Sequence, residues 1–329
     1  MRVRALSIFV NRIVASGPAD RMILGRTYPS DAARALESVW TRRWAEGWDM
    51  AEALVLGGGG VAGISWMIGL LAGLADAGQD VTAVDTIVGT SAGSTAAAQL
   101  GSGLSLADLY VRQTEPALQA AEIMADVDLE SFGARIADLL RGATTVTEMR
   151  QAVGRFALEA ATVSESERRA VIESRLPSHA WPARALKIVA LDAESGQPRV
   201  FDKDSGVSLV DAVAASCAVP GVWPPVTIDG RRYVDGGVRS NENADYAAGA
   251  SRVLVLAPLR GVQLFPTDKT LDQAVEELRV AGAEVAIISP DEASLAAIGP
   301  NPLDPSTRTP TAEAGRAQGR ELKIEWNRV

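Results

Sequence analysis

The sequence predicts an α/β fold, because strand-like and helix-like segments alternate along the chain and are joined by glycine-rich turns. From Ala53 a short apolar run, ALVL, leads into four glycines at 57–60 and then into a helical pattern over 61–77. A second unit follows, with a strand over 83–88, a tight turn at 89–93 and a helix of small residues. Two such units in series predict neighbouring parallel strands.

The next stretch, 104–176, has no strand pattern and predicts several short helices, with Ser105 and Ser164 as N-terminal caps. We interpret it as a helical cap over the sheet. A strand over 185–191 and a helix over 211–218 follow. The helix is expected to end there because Pro220 comes next.

The carboxyl-terminal third begins with a predicted β-hairpin. Two apolar runs, 226–228 and 231–234, flank an Asp-Gly pair at Asp229, which supplies the positive φ angles of a type I′ turn. Buried strands are predicted at 253–257 and 285–288. From Gly299 the chain is rich in proline, threonine and arginine. We therefore expect a main domain over 50–298 and a loose tail over 299–329.

Composition narrows the function classes. The 329 residues carry 32 basic and 41 acidic side chains, and the net charge of −9 argues against sequence-independent nucleic-acid binding. Cys217 is the single cysteine, which excludes an internal disulfide and a multi-cysteine zinc site. No run reaches the roughly 20 apolar residues that cross a bilayer, and the amino terminus lacks a convincing signal peptide. We expect a cytoplasmic protein, with peripheral contact at the inner membrane left open.

Residues 1–49 form a basic extension with eight arginines against five acidic residues, so they carry +3 and the remaining chain carries −12. A predicted helix over 31–48 presents Trp40, Trp44 and Trp48 at four-residue spacing, which is typical of attachment to a membrane surface. The same pattern fits a helix packed on the body. Met50 stands three residues before the first strand, which favours a third interpretation, that 1–49 is not native coding sequence.

The pentapeptide from Gly89 to Gly93 has the form G-x-S-x-G and lies between a predicted strand and a predicted helix. Its two glycines remove side chains that would clash in a sharp turn. The turn places the Ser91 hydroxyl at a helix N-terminus, where free amides favour negative charge. Ser91 is therefore a candidate nucleophile, and a glycine-rich turn with an ordinary serine is the alternative.

A serine nucleophile needs a base, and here the base must be a carboxylate. The single histidine, His179, lies in a polar loop, where a histidine is usually just solvated. Asp235 follows the hairpin, and Gly236 and Gly237 let the backbone turn away while another segment approaches. Burial would raise the pKa of this carboxyl toward neutral. Asp235 is the candidate base, and a turn aspartate like Asp229 is the alternative.

A third element is the glycine run that includes Gly58, Gly59 and Gly60. Acyl transfer develops negative charge on a carbonyl oxygen, and backbone amides from a glycine run can hold that charge. The run also satisfies G-x-G-x-x-G through Gly63, which would indicate a dinucleotide-binding oxidoreductase. That reading leaves the Ser91 and Asp235 turns unexplained.

In this order GGGGVAG, GTSAG and DGG resemble the motifs of the patatin-like phospholipase family, and ASCAVPGVWPPV resembles the stretch before its aspartate. The resemblance covers 53 to about 235. It implies a three-layer α/β/α fold and a Ser91–Asp235 dyad in a bacterial serine acyl hydrolase. It also implies an oxyanion hole at 58–60, acyl esters of lipids as substrates, and neither metal nor cofactor.

The chain departs from the family pattern at Ala62, where an arginine or lysine usually precedes the last glycine of the first motif. The missing cation puts a headgroup or phosphate contact in doubt and slightly favours neutral esters over phospholipids. A catalytically silent lipid-binding or regulatory protein on the same scaffold is the alternative from another class. Acyl chain length, headgroup and positional preference, oligomeric state, and hydrolysis versus acyl transfer stay open.

Overall fold

The computed structural model describes residues 21–23, 26–28, 51–125, 129–262, 265, 267 and 269–326. The chain divides into two units, Met1–Met50 with Arg328–Val329, and Ala51–Asn327. In the first unit, strands β1 (Arg21–Ile23) and β2 (Arg26–Tyr28) pair antiparallel. The predicted tryptophan helix over 31–48 lies outside the described residues.

The second unit is built on one eight-stranded mixed sheet with the order β10-β9-β3-β4-β5-β8-β7, and β6 pairs with β5 off this path. The strands from β10 to β5 are parallel, whereas β8, β7 and β6 run antiparallel to their neighbours. The strand bounds are β3 Glu52–Leu56, β4 Thr86–Thr90, β5 Ala185–Asp192, β6 Pro198–Phe201, β7 Val226–Ile228, β8 Arg231–Asp235, β9 Arg252–Leu256 and β10 Glu284–Ile288.

Ten α-helices surround this sheet in the described part of the chain. Their bounds are α1 Gly60–Asp76, α2 Ala92–Leu100, α3 Leu106–Thr114, α4 Leu129–Leu139, α5 Val146–Glu159, α6 Glu165–Arg175, α7 Leu209–Ser216, α8 Leu271–Val280, α9 Glu292–Ile298 and α10 Arg308–Glu321. Short 3₁₀ turns lie at Pro116–Leu118, Gly236–Val238, Ala244–Ala247 and Pro305–Thr307.

Alternate residues of the central strands enter two different cores, as the period of a strand requires. In β3, Leu54 and Leu56 pack in the core that includes α1, α2 and α7. Ala53 and Val55 point to the other face, where α8 packs. Helices thus cover both faces of the sheet, and the predicted three-layer α/β/α fold is confirmed.

The predicted hairpin and the predicted caps are also confirmed. Asp229 has φ 50° and Gly230 has φ 73°, as a type I′ turn needs. The Ser105 hydroxyl accepts the Asp108 amide, and Ser164 forms a capping box with Glu167. The strand expected at 83–88 instead begins at Thr86 and continues to Thr90. Strand β6 and helices α8 and α9 were not predicted.

The prediction of a loose tail after Gly299 is wrong. Helix α10 packs along α1 so closely that a side chain on Gly69 would overlap the Ala312 carbonyl, and one on Gly315 would overlap the Trp66 carbonyl. The Trp66 indole N–H also donates to Gln318 Oε1 at 2.9 Å. The packed face of α10 consists of glycine, alanine and polar residues, so it shows no apolar periodicity that could predict a buried helix.

Candidate active site

Ser91 lies on a strained turn between β4 and α2. Its φ of 53° and ψ of −118° are uncommon for a residue with a side chain, and such strain concentrates at functional sites. A side chain on Gly93 would overlap the Leu56 carbonyl, so this position needs glycine. Ser216 and Cys217 fix the turn from α7, because Ser216 Oγ accepts the Ser91 amide at 2.9 Å and Cys217 Sγ donates to the Ser91 carbonyl at 3.2 Å.

Asp235 is the last residue of β8, and it is only 5% exposed. Its Oδ1 accepts the Gly237 amide at 2.7 Å, whereas its buried Oδ2 has no hydrogen-bond partner within the described residues. Burial raises the pKa of Asp235 to about 7, and the Ser91 hydroxyl and the Gly237 amide partly oppose that rise. The structure therefore brings the two predicted residues together, with a carboxylate that can take up a proton near neutral pH.

Asn243 connects the Asp235 turn to the strand before Ser91, a role that sequence reasoning missed. This buried residue has φ 52°, and its side-chain amide donates to Thr90 Oγ1 at 3.0 Å and to the Gly236 carbonyl at 3.2 Å. A side chain on Gly236 would overlap the Val189 carbonyl of β5. Close backbone contact and one buried amide thus fix the position of the Asp235 turn relative to the strand that precedes Ser91.

The glycine run lies beside Ser91, since a Cβ on Gly58 would be 3.6 Å from the Ser91 Cβ. The Gly58 amide donates to the Asn241 carbonyl at 2.8 Å, so it is already engaged and the expectation of three free amides needs correction. Among described residues, no acceptor takes the amides of Gly59 or Gly60. Gly60 has φ 61° at the start of α1, a conformation that favours glycine.

Ser91 and Gly60 line a cavity of about 20 Å³, which is room for about one water molecule. Glu122, Arg168 and Arg175 line its other side. Glu122 pairs with Arg168 at 2.7 Å and with Arg175 through Oε2, and its Oε2 is 3.8 Å from Arg308 Nη2. This ion cluster was not predicted from the sequence.

His179 stands apart from this arrangement. Its side chain is 51% exposed at the end of α6, Nε2 contacts the Glu173 carbonyl, and Nδ1 faces the Glu173 carboxylate. Among the described residues, no group of three or more His, Cys, Asp or Glu side chains could hold a metal ion. Within the same described part, every helix is too short or too polar to cross a membrane.

A family model described as patatin-like phospholipase matches residues 54–248. The chain belongs to the patatin-like phospholipase family. The match includes Ser91 and Asp235 and ends before α10. Membership in this family supports a lipid acyl hydrolase.

Solved structures with a similar fold include VipD from Legionella pneumophila, which is 11% identical, with 83% of this chain and 67% of VipD covered and a TM-score of 0.39. The type III effector ExoU is 16% identical, with 84% of this chain and 54% of ExoU covered and a TM-score of 0.34. ExoU from Pseudomonas aeruginosa in complex with SpcU matches at 15% identity and a TM-score of 0.34, with 84% of this chain and 54% of that chain covered. This chain therefore spans about half the length of the ExoU chains.

Proposed function

We propose that this patatin-like protein hydrolyses acyl esters of lipids, with Ser91 as nucleophile and Asp235 as its base. The observation that carries the proposal is a strained serine close to a buried carboxylate whose Oδ2 has no hydrogen-bond partner within the described residues. A carboxylate with a pKa near 7 exchanges protons readily at neutral pH, which suits a general base.

In the proposed mechanism, Ser91 Oγ attacks the ester carbonyl carbon while its proton passes to Asp235 Oδ2. The free amides of Gly59 and Gly60 donate to the oxygen that becomes negative. When the tetrahedral intermediate collapses, the proton moves from Asp235 to the departing alkoxide, and the acyl group stays on Ser91. Water then attacks the acyl-enzyme with the same proton transfers and releases the fatty acid.

The test is labelling and turnover with short soluble esters. The purified chain should react with a fluorophosphonate at Ser91 and release p-nitrophenol from p-nitrophenyl butyrate, and Ser91→Ala should lose both activities. His179→Ala is the matched control and should retain both, because His179 contacts neither dyad residue in the described part of the chain. A loss with His179→Ala equal to that with Ser91→Ala would indicate a histidine-based triad. No labelling and no turnover of the unmodified chain would support the silent lipid-binding protein instead.

A further inference from the structure

An unusual concentration of positive charge lies beside Ser91: Arg168 and Arg175 line the same cavity as Ser91, and Arg308 lines the neighbouring cavity together with Arg175. Three arginines, Arg168, Arg175 and Arg308, surround the single carboxylate of Glu122, and the four side chains are between 3% and 7% exposed. The cluster therefore carries a net charge of about +2 in a nearly dry environment. Burial lowers the pKa of Arg168 only to about 10, so this guanidinium stays charged at neutral pH.

These arginines have unused hydrogen-bonding capacity. The Nε groups of Arg168 and Arg175 are buried and have no hydrogen-bond partner within the described residues. Arg168 also stacks on Trp223, with its guanidinium carbon 3.7 Å from the ring centroid, which fixes the plane of its fork. Planar, oriented guanidinium groups with free N–H donors are the arrangement that binds phosphate oxygens.

Glu122 occupies the centre of the cluster from an irregular segment. The backbone of 120–125 forms no backbone–backbone hydrogen bond with any other described residue. Side chains hold the segment instead, through Arg308 Nη1 to the Ala120 carbonyl at 2.9 Å and Asn301 Nδ2 to the Ala125 carbonyl at 3.2 Å. The cavity has room for about one water molecule, so we expect a bound ester to displace part of this wall.

We propose that Arg168, Arg175 and Arg308 form a subsite for a phosphomonoester group of the substrate, and that Glu122 holds the place of that group until the substrate arrives. A phosphomonoester carries nearly two negative charges at neutral pH, which matches the excess charge of the cluster. Among the described residues, Glu122 is the only acidic side chain that lines this cavity, so they offer no second carboxylate to attract a cationic headgroup such as choline. The inference rests on the proposed function and narrows its substrate class.

This subsite also supplies the positive charge that is missing at residue 62. Ala62 is fully buried and its amide donates to the Pro302 carbonyl. Positive charge instead lines the cavity from α6, and Arg308, the first residue of α10, adds to it from the neighbouring cavity at 3.8 Å from Glu122 Oε2. Both helices lie far from the first glycine motif in sequence. The expectation that the chain prefers neutral esters is therefore replaced by the opposite preference.

The test compares three substrates with the same oleoyl chain in nonionic mixed micelles: lysophosphatidic acid, lysophosphatidylcholine and monooleoylglycerol. The unmodified chain should have a kcat/KM at least about tenfold higher for lysophosphatidic acid than for monooleoylglycerol, the range of one or two charge-assisted hydrogen bonds. Arg308→Gln leaves Glu122 paired with the other two arginines and should reduce this ratio about tenfold, mainly through KM. The matched control is Arg320→Gln on the same helix, whose side chain is 54% exposed and pairs with Asp76, and it should leave the ratio unchanged.

Glu122→Gln should strengthen binding, in contrast to Arg308→Gln, because it removes the negative charge that competes with phosphate for the arginines. This variant should bind lysophosphatidic acid several-fold more tightly, measured by calorimetry in a Ser91→Ala background where no turnover occurs. A merely structural ion cluster would instead make both Glu122→Gln and Arg308→Gln weaken binding. That result, or equal kcat/KM for the three lipids, would overturn the subsite.

Two further outcomes separate the sources of failure. If the unmodified chain hydrolyses none of the esters, the proposed function fails, and the calorimetric titrations still decide the subsite. If inorganic phosphate binds and is lost in Arg308→Gln while the three lipids are hydrolysed equally, the cluster takes free phosphate and not a lipid headgroup, which also overturns the proposal.

Discussion

Asp235 and Glu122 are two buried carboxylates near Ser91, the candidate nucleophile, and their pKa values are shifted in opposite directions. Asp235 has no cationic partner among the described residues, and burial raises its pKa to about 7. Burial acts on Glu122 as well, but Arg175 and Arg168 outweigh it and hold the pKa of Glu122 below its usual value. Burial alone therefore does not decide how a carboxyl group behaves.

The opposite pKa shifts suit the two carboxyl groups to different chemical roles. A carboxyl whose pKa lies near the working pH can accept a proton and return it within one turnover. A carboxylate fixed among guanidinium groups keeps its charge and acts as an anion of constant shape. Substitution of each residue in turn tests whether the two carboxyl groups differ in this way.

The largest expected effect is the loss of turnover in Asp235→Asn. The amide oxygen can still accept the Gly237 amide, but the side chain can no longer take up the Ser91 proton. We expect kcat for p-nitrophenyl butyrate to fall by about 10³-fold or more, as for other residues that assist a catalytic serine. Circular dichroism serves as the control for folding, and activity within tenfold of the unmodified chain would remove Asp235 from the chemistry.

The second effect is on stability, and it should have opposite signs in the two variants. Glu122→Gln leaves three buried arginines without a counter-charge and should reduce the free energy of unfolding at pH 8 by about 3 kcal/mol. Asp235→Asn removes a carboxylate whose ionisation in the folded state is unfavourable, so it should stabilise the protein at pH 8.

The pH dependence of these two changes follows from the direction of each pKa shift. Because the pKa of Asp235 is raised on folding, its side chain reduces stability as pH increases from about 4 to 7, and Asp235→Asn should have little effect at pH 4. The pKa of Glu122 is lowered, so its stabilising contribution is present above the unfolded-state pKa and is lost as pH falls through the folded-state pKa. Urea denaturation at pH 8 and pH 4 measures both, and equal signs at pH 8 would contradict the comparison.

The third effect is the pH profile of hydrolysis. The rate should increase with pH as Asp235 loses its proton, with a midpoint near its pKa of about 7 and a plateau above it. Glu122→Gln should keep this midpoint for p-nitrophenyl butyrate, since the profile reports Asp235. A constant rate between pH 5 and pH 8 would show that no group with this pKa limits turnover.

The smallest effect should come from removal of residues 1–49. Every residue of the dyad, the glycine run and the arginine cluster lies after Ala51, so a chain that starts at Met50 should hydrolyse p-nitrophenyl butyrate within about twofold of the full chain. A selective loss on lipid vesicles would instead assign the segment an anchoring role. Insoluble truncated protein would show that the segment belongs to the core.

The catalytic candidates could be predicted from the sequence because their signals are local. Ser91 directly follows β4 and Asp235 ends β8, and each lies close to a glycine whose side-chain position is filled by neighbouring backbone. The sheet and its hairpin could be predicted for the same reason, because apolar runs and an Asp-Gly turn can be recognised within a few residues of sequence.

The arginine cluster could not be predicted, because its members meet only in the folded chain. Glu122 lies 46 and 53 residues from Arg168 and Arg175, and farther still from Arg308. A charged residue on a short helix normally indicates a solvated face, whereas here the two arginines of α6 point inward. The engagement of the Gly58 amide likewise depends on Asn241, a contact between distant segments.

The packing of α10 against α1 affects the order in which parts of the candidate site and its scaffold form during synthesis. The ribosome exposes Ser91 and Asp235 well before it completes α10, which brings Arg308 and covers the glycine face of α1. A growing chain thus contains both candidate catalytic residues before its scaffold is complete, with Trp66 still lacking its partner Gln318. A stop codon or a protease cut near residue 300 would leave the glycine face of α1 uncovered permanently, and we expect such a chain to bind chaperones rather than fold stably.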